Sequence, residues 1–142
     1  MDTKQIVKKL MERHQTNNPF IIADNLEIII LNHPMKNTLG FFSKYKRSKF
    51  IHLSNNLPDK LQTFVCAHEL GHAILHPNVN TPFLKRHTLF STSKIEHQAN
   101  TFAVELLMPD DLLQECSEIS LFNIAESLGI PSKLADLKEI KK

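Results

Sequence analysis

The first third of the chain shows a helical pattern followed by short apolar runs. Apolar side chains recur at helical spacing in residues 3–14, with lysines between them, which predicts an N-terminal amphipathic helix within residues 1–18. Residues 19–54 contain β-branched and aromatic runs separated by turn-forming residues. The runs lie at residues 20–22, 26–31, 38–45 and 49–53. We expect a small, mostly antiparallel sheet in this region.

The remaining chain is helical in pattern. A long helix is predicted over residues 58–76, closed by Pro77, and a second over residues 93–108, closed by Pro109. Further helices are expected within residues 109–142. Because the strands come first and the helices later, the order predicts an α+β fold with one domain over residues 1–142 and the sheet packed on the first long helix.

Composition narrows the functional classes. The hydrophobic share of 42% and the charged share of 23% are those of a globular protein. The formal net charge is only +2, and the basic residues are spread along the chain, which argues against a nucleic-acid or membrane surface. The N-terminus has no continuous apolar core of the signal-peptide kind, and the two cysteines are predicted to be reduced thiols. We therefore expect a cytoplasmic protein.

The chemistry is concentrated in a His-Glu-x-x-His segment within the first long helix. Positions four apart on a helix are offset by about 40°, so His68 and His72 project from one face and are predicted to bind one Zn²⁺. Glu69 lies about 100° further round the helix. There its carboxylate can take a proton from water and later deliver it to a leaving amine. The segment predicts a zinc-dependent peptidase.

A catalytic zinc requires a third protein ligand, for which the residues alone leave several candidates. His76 is the nearest, but it lies about 12 Å along the helix axis from His68, which is too far to share one ion. Glu96, on the second long helix, fits better, although it is equally compatible with a solvated carboxylate. Asn100 shares its face and is expected to orient a ligand imidazole through the free ring nitrogen. His97 and His87 are weaker alternatives.

Two segments carry a family resemblance. Residues 68–72 read His-Glu-Leu-Gly-His, and residues 96–109 read Glu-x-x-Ala-Asn-x-Phe-Ala-x-Glu-Leu-Leu-Met-Pro. Together they resemble the ImmA/IrrE family of metallo-endopeptidases, over roughly residues 20–137. The resemblance implies a minimal zincin-like domain, with zinc held by the two histidines and Glu96 and with Glu69 as base. The family motif often has a second acid where this chain has Gln98, which favours Glu96 as the ligand.

The resemblance also implies a target. Members of this family inactivate helix-turn-helix repressors of mobile elements, phages or stress responses by cutting them, so we expect a protein substrate of that kind. The alternative is a non-catalytic anti-repressor that binds and sequesters the repressor. Residues 121–128 and 132–140 superficially resemble a helix-turn-helix themselves, but a packing pair is the preferred interpretation. Direct contact with nucleic acid is not expected.

The sequence identifies the substrate path less sharply. Phe41, Phe42 and Tyr45 are candidates to line a groove, and a peptide is expected to add to the sheet edge by β-augmentation if a strand lies beside the cleft. Residues 78–93 are predicted to form a loop over the site. Tyr45 and His87 are the candidates for stabilising the oxyanion.

Overall fold

The computed structural model describes residues 2–81, 83–85, 88–91 and 93–140. Within these residues it contains six α-helices, three strands and a 3-10 helix. The helices are α1 Thr3–His14, α2 Pro19–Asn25, α3 Asp59–Leu75, α4 Lys94–Leu107, α5 Asp110–Glu115 and α6 Leu121–Ser127, and the 3-10 helix is Ser132–Leu137. The strands are β1 Ile29–His33, β2 Gly40–Tyr45 and β3 Ser48–Ser54.

The strand predicted at residues 20–22 is wrong, because this segment lies inside helix α2. The side chain of Asn18 accepts hydrogen bonds from the backbone N–H groups of Phe20 and Ile21, and Pro19 occupies the first turn. An asparagine cap followed by proline is a strong helix start. Local capping therefore overrides the β-branched composition of this short run.

The sheet is mixed, and the α+β class is confirmed. Its strand order is β1-β3-β2, with β3 parallel to β1 and antiparallel to β2. Strands β2 and β3 form a hairpin around Lys46, whose φ of 57° suits a tight turn. Because β3 inserts between the two strands that precede it, one of the two pairings becomes parallel. Strand periodicity does not specify this order.

Helix α3 packs against strands β2 and β3 and runs beside helix α4. Its residues from Phe64 to Ala73 are buried all round, as expected for a helix at the centre of a core. Gly40 permits the close approach of sheet and helix, since a Cβ atom there would lie 2.8 Å from Cγ1 of Val65 and 2.6 Å from the carbonyl oxygen of His52. The sheet thus fixes α3 from one side and α4 fixes it from the other.

The C-terminal segment packs back on this core. The 3-10 helix contacts α4 and α6 and buries Leu134 and Ala135. Lys138 follows it, with its ammonium group 2.7 Å from Oε1 of the buried Glu105. The 3-10 helix thus packs against α6 and α4 through Leu134 and Ala135, the arrangement of a packing pair. Among the described residues, no helix has the length and apolar character needed to cross a membrane.

Candidate metal centre

Helix α3 places His68, Glu69 and His72 together inside the protein. Their exposed fractions are 0%, 1% and 1%. One potential ligand atom from each lies within 4.8 Å of the others, and the two imidazole rings meet edge to face at 4.9 Å. The four-residue spacing on one helix therefore brings both histidines to one point, as the sequence predicts.

Gly71 allows helix α4 to reach this point. A Cβ atom at Gly71 would lie 3.0 Å from Cβ of Phe102, so any larger residue would press the two helices apart. The close contact brings Glu96, in the first turn of α4, against the histidines. Its Oε1 atom lies 2.5 Å from Nε2 of His72 and 3.6 Å from Nε2 of His68.

The convergent atoms form a donor set suited to zinc. In the described part of the chain, both Nε2 atoms and Oε1 of Glu96 are buried and lack a hydrogen-bond partner of good geometry. Both oxygens of Glu69 are also buried and unpaired there. Two imidazole nitrogens and one carboxylate oxygen are a ligand set found in catalytic zinc sites, and buried polar atoms without partners are costly unless something satisfies them. The residues present therefore fit a zinc ion.

Burial shapes the charge state of the two carboxylates. Burial raises the pKa of Glu69 to about 8, helped by the negative charge of Glu96 and opposed by His68. Burial also acts to raise the pKa of Glu96, but its close contact with the imidazoles of His68 and His72 outweighs burial and holds that pKa at about 2. Glu96 is accordingly an anion between two imidazoles, whereas Glu69 is poised to gain or lose a proton near neutral pH.

Asn100 contacts His68, as expected for a residue that orients a ligand. Its Oδ1 atom lies 2.8 Å from Nδ1 of His68, and its amide nitrogen donates to the carbonyl oxygen of Leu89 at 2.7 Å. Because the amide nitrogen is committed to Leu89, the oxygen faces the ring and accepts from Nδ1–H. That tautomer leaves the Nε2 lone pair of His68 directed at Glu96.

His72 has a different partner, which sequence reasoning missed. Its Nδ1 lies 3.0 Å from Nδ1 of His76, and Nε2 of His76 lies 2.7 Å from Oε1 of Gln98. His76 thus contacts Nδ1 of His72, on the opposite side of the ring from the Nε2 atom that meets Glu96. The signal was available, since residues four apart on a helix are neighbours. The position of Gln98, however, depends on how α4 crosses α3.

The remaining residues that the sequence offered for the site either lie away from the two histidines or fall outside the described residues. His97 is exposed and lines a surface groove beside α1. Tyr45 is 68% exposed at the hairpin end of β2, with Lys46 above its ring. His87 lies outside the described residues. Of the three aromatic residues predicted to line a substrate groove, Phe42 does not do so, because it is fully buried in the core. Neighbouring residues of a strand point to opposite faces, so Phe42 points away from the face of Phe41.

The edge of strand β2, where peptide addition was expected, is already occupied. Leu84 exchanges backbone hydrogen bonds with Leu39 and Gly40, and the Thr81 backbone N–H donates to the carbonyl oxygen of Phe42. The side chain of Asn80 accepts from the Lys44 backbone N–H at 2.9 Å. Residues of the chain that follow α3 therefore cover the edge of β2 that does not pair with β3.

The fold and the site together define a metallopeptidase-type domain. Residues 23–137 match the family described as the IrrE N-terminal-like domain, peptidase M78. The chain belongs to this family. It is 35% identical over 141 residues to "Metallopeptidase ImmA" of Bacillus subtilis (strain 168), covering 95% of this chain and 82% of that protein. It is also 44% identical over 142 residues to "Uncharacterized immunity region protein 2" of Bacillus phage phi105, covering 98% and 90% of the two chains.

Proposed function

We propose that this protein is a zinc-dependent endopeptidase that cleaves a helix-turn-helix repressor of a mobile element, phage or stress response and so relieves repression. The observation that carries the proposal is the meeting of two imidazole nitrogens and one carboxylate oxygen, all buried and without a hydrogen-bond partner of good geometry among the described residues, beside the second buried carboxylate of Glu69. In this proposal His68, His72 and Glu96 hold the metal and Glu69 is the general base. The zinc ligands and the base come from two helices that pack closely at Gly71.

The roles of the two carboxylates follow from their surroundings. Glu96 is held as an anion by its two histidine neighbours, which suits a permanent metal ligand. Glu69 has no committed partner among the described residues and has a pKa raised to about 8 by burial, which suits a group that must accept and return a proton. A bound Zn²⁺ would polarise the scissile carbonyl, lower the pKa of a water molecule and favour the ionised form of Glu69.

Glu69 then performs two proton transfers in the proposed reaction. As the water oxygen bonds to the carbonyl carbon of the substrate, Glu69 accepts the proton that the water loses. When the carbon–nitrogen bond breaks, Glu69 returns that proton to the leaving amine nitrogen. The carboxylate ends in its starting state, so each turnover consumes one water and releases one new amine and one new carboxylic acid, which then ionises by losing its proton to solvent or to the amine.

The burial of the site places a demand on the substrate. The exposed fractions of the three proposed ligands and the base do not exceed 5%. Asn80, Thr81 and Leu84 lie along the edge of β2, where an extended peptide would otherwise pair. A target segment must therefore compete with these residues, which favours an extended and locally unfolded stretch of the partner.

The names of the relatives support the biological part of the proposal. One relative is called a metallopeptidase and the other an immunity region protein of a phage. A regulatory protease acting on a repressor in the same genetic element fits both names. The second candidate function, sequestration of the repressor without cleavage, is favoured by the near-complete burial of the site. Sequestration without cleavage would, however, leave the buried Glu69 carboxylate without a role.

Cleavage of the neighbouring repressor tests the proposal. We expect a helix-turn-helix repressor to be encoded by a neighbouring gene. The purified protein is incubated with zinc and with that repressor, and casein serves as a general substrate. We expect one cut in the repressor and slow digestion of casein, with the cut located by mass spectrometry. Rapid casein digestion beside an intact repressor would contradict the proposed specificity. Tight binding of the repressor without a cut would favour sequestration.

A further inference from the structure

The two histidines of the proposed zinc site are supported by different partners. His68 is held by Asn100, whose amide is locked in one orientation by the Leu89 carbonyl. His72 is held by His76, which in turn contacts Gln98. Neither His76 nor Gln98 reaches the convergent ligand atoms, so their chemistry acts through the His72 ring. A role of His76 and Gln98 toward the metal rests on the zinc site of the proposed function.

A metal ligand must present a lone pair, which fixes the proton on the other ring nitrogen. For His72 to offer Nε2, its proton must sit on Nδ1 and be donated to Nδ1 of His76. His76 must then carry its own proton on Nε2 and donate it to Oε1 of Gln98. Every nitrogen in this series has one role, and the 3.0 Å and 2.7 Å distances are those of ordinary hydrogen bonds.

The same atoms allow one other arrangement. If the Gln98 amide rotates, its NH₂ group donates to Nε2 of His76, and Nδ1–H of His76 then donates to His72. The His72 proton then sits on Nε2, 2.5 Å from Oε1 of Glu96, and the lone pair is no longer available to a metal. The direction of two hydrogen bonds therefore decides whether His72 can act as a ligand.

We propose that His76 and Gln98 are positioning residues that keep the Nε2 lone pair of His72 directed at a bound zinc ion. Both are placed by packing. His76 follows the last turn of α3, where its backbone N–H donates to the His72 carbonyl, and it is 9% exposed. Gln98 lies two residues beyond Glu96 on α4. The helix crossing that brings Glu96 to Nε2 of His72 also brings Gln98 to Nε2 of His76.

Three substitutions separate this role from simple packing. Gln98→Met keeps the length of the side chain and removes both hydrogen-bonding groups. Gln98→Glu can only accept when ionised, so it favours the metal-binding direction alone. His97→Glu is the matched control, because it adds the same charge to the adjacent exposed position of α4. Thermal unfolding with a chelator present shows whether each metal-free variant keeps its fold.

Zinc affinity measured by competition with a chromophoric chelator tests the proposal without using peptidase activity. We expect Gln98→Met to bind zinc about 10–100-fold more weakly than the wild type, the usual effect of losing such a partner. Gln98→Glu should bind at least as tightly as the wild type and more tightly than His97→Glu. Equal affinities for wild type and Gln98→Met would overturn the positioning role while leaving the zinc site intact.

The tautomer itself gives a second readout. In zinc-loaded protein labelled with ¹⁵N, histidine correlation spectra should show the His76 proton on Nε2 and none on Nδ1. A proton on Nδ1 of zinc-loaded His76 would overturn the proposed direction. If the wild-type protein binds no zinc in the competition assay, the metal centre of the proposed function fails, and the positioning role fails with it. The two failures are therefore distinguishable.

Discussion

The Nδ1 atom of His68 lies 2.8 Å from the amide oxygen of Asn100, and both residues are almost fully buried. The amide nitrogen of Asn100 donates to the Leu89 carbonyl, so the amide oxygen is the atom that faces His68 and accepts its Nδ1–H. This contact sets the tautomer of His68 and links α3, α4 and the segment that follows α3. It gives the proposed metal ligand a fixed orientation before any metal arrives.

Removing the Asn100 amide should weaken metal binding. Asn100→Leu leaves the Nδ1–H of His68 and the Leu89 carbonyl without partners, so we expect zinc affinity to fall about 10–100-fold. The free energy of unfolding of the metal-free protein should fall by about 1–3 kcal/mol, the cost of unsatisfied buried groups. Thr101→Val is the control, because among the described residues the Thr101 hydroxyl bonds only to the His97 carbonyl of its own helix. An Asn100→Leu variant that matches this control in zinc affinity would contradict the account.

Replacing the proposed base should separate metal binding from catalysis. Glu69→Gln is nearly isosteric but cannot accept a proton, so we expect the zinc content and the unfolding transition to stay close to wild type. Cleavage of the repressor should slow by about 10²–10⁴-fold, the usual contribution of general acid–base catalysis. Single-turnover cleavage followed by gel electrophoresis measures the rate. Wild-type cleavage by this variant would remove Glu69 from the mechanism.

The buried ion pair of Lys138 and Glu105 should stabilise the packing of the C-terminal segment against α4. Among the described residues, Lys138→Met leaves the buried Glu105 carboxylate with the Glu139 backbone N–H as its one donor and also removes a contact to Asp110, so the free energy of unfolding should fall by about 3–5 kcal/mol. The double variant with Glu105→Leu should recover much of this loss, because no unpaired buried carboxylate remains and the half-exposed Asp110 keeps its contact with Lys4. Lys133→Met on the exposed side of the 3-10 helix is the control. Urea unfolding makes the measurement, and equal loss in the single and double variants would argue against the charge as the cause.

The two cysteines should differ in reactivity. Cys66 is fully buried on α3, and burial, with a contribution from the charge of Glu69, raises the pKa of its thiol. Cys116 is partly exposed after α5. A thiol reagent should therefore modify Cys116 in the native protein and reach Cys66 only after unfolding, as counted by mass spectrometry. Rapid modification of both under native conditions would contradict the burial of α3.

Local patterns predicted the parts of this molecule that depend on neighbouring residues in the chain. The helix expected over 58–76 is Asp59–Leu75, and the one expected over 93–108 is Lys94–Leu107, because apolar periodicity and the flanking prolines define both. The meeting of His68 and His72 follows from helical spacing alone. The identification of Glu96 as the third residue needed the family resemblance, since no local rule brings α4 to α3.

Features that depend on tertiary packing were not predictable in the same way. The insertion of β3 between β1 and β2 leaves no trace in strand periodicity. The occupation of the β2 edge by Thr81 and Leu84 depends on where the chain turns after α3. The contact between His76 and Gln98 requires the exact crossing of two helices. In each case the sequence specifies suitable side chains, and the packing decides which of them meet.

Zinc content is the most direct test of the central claim, which is that His68, His72 and Glu96 hold one metal ion. Elemental analysis after dialysis should find about one zinc per chain in the wild type. His68→Ala and Glu96→Ala should lose it, while Glu69→Gln and the control His97→Ala should retain it. The contradicting result is a Glu96→Ala variant that keeps its zinc while Glu69→Gln loses it, because that would exchange the proposed roles of the two carboxylates.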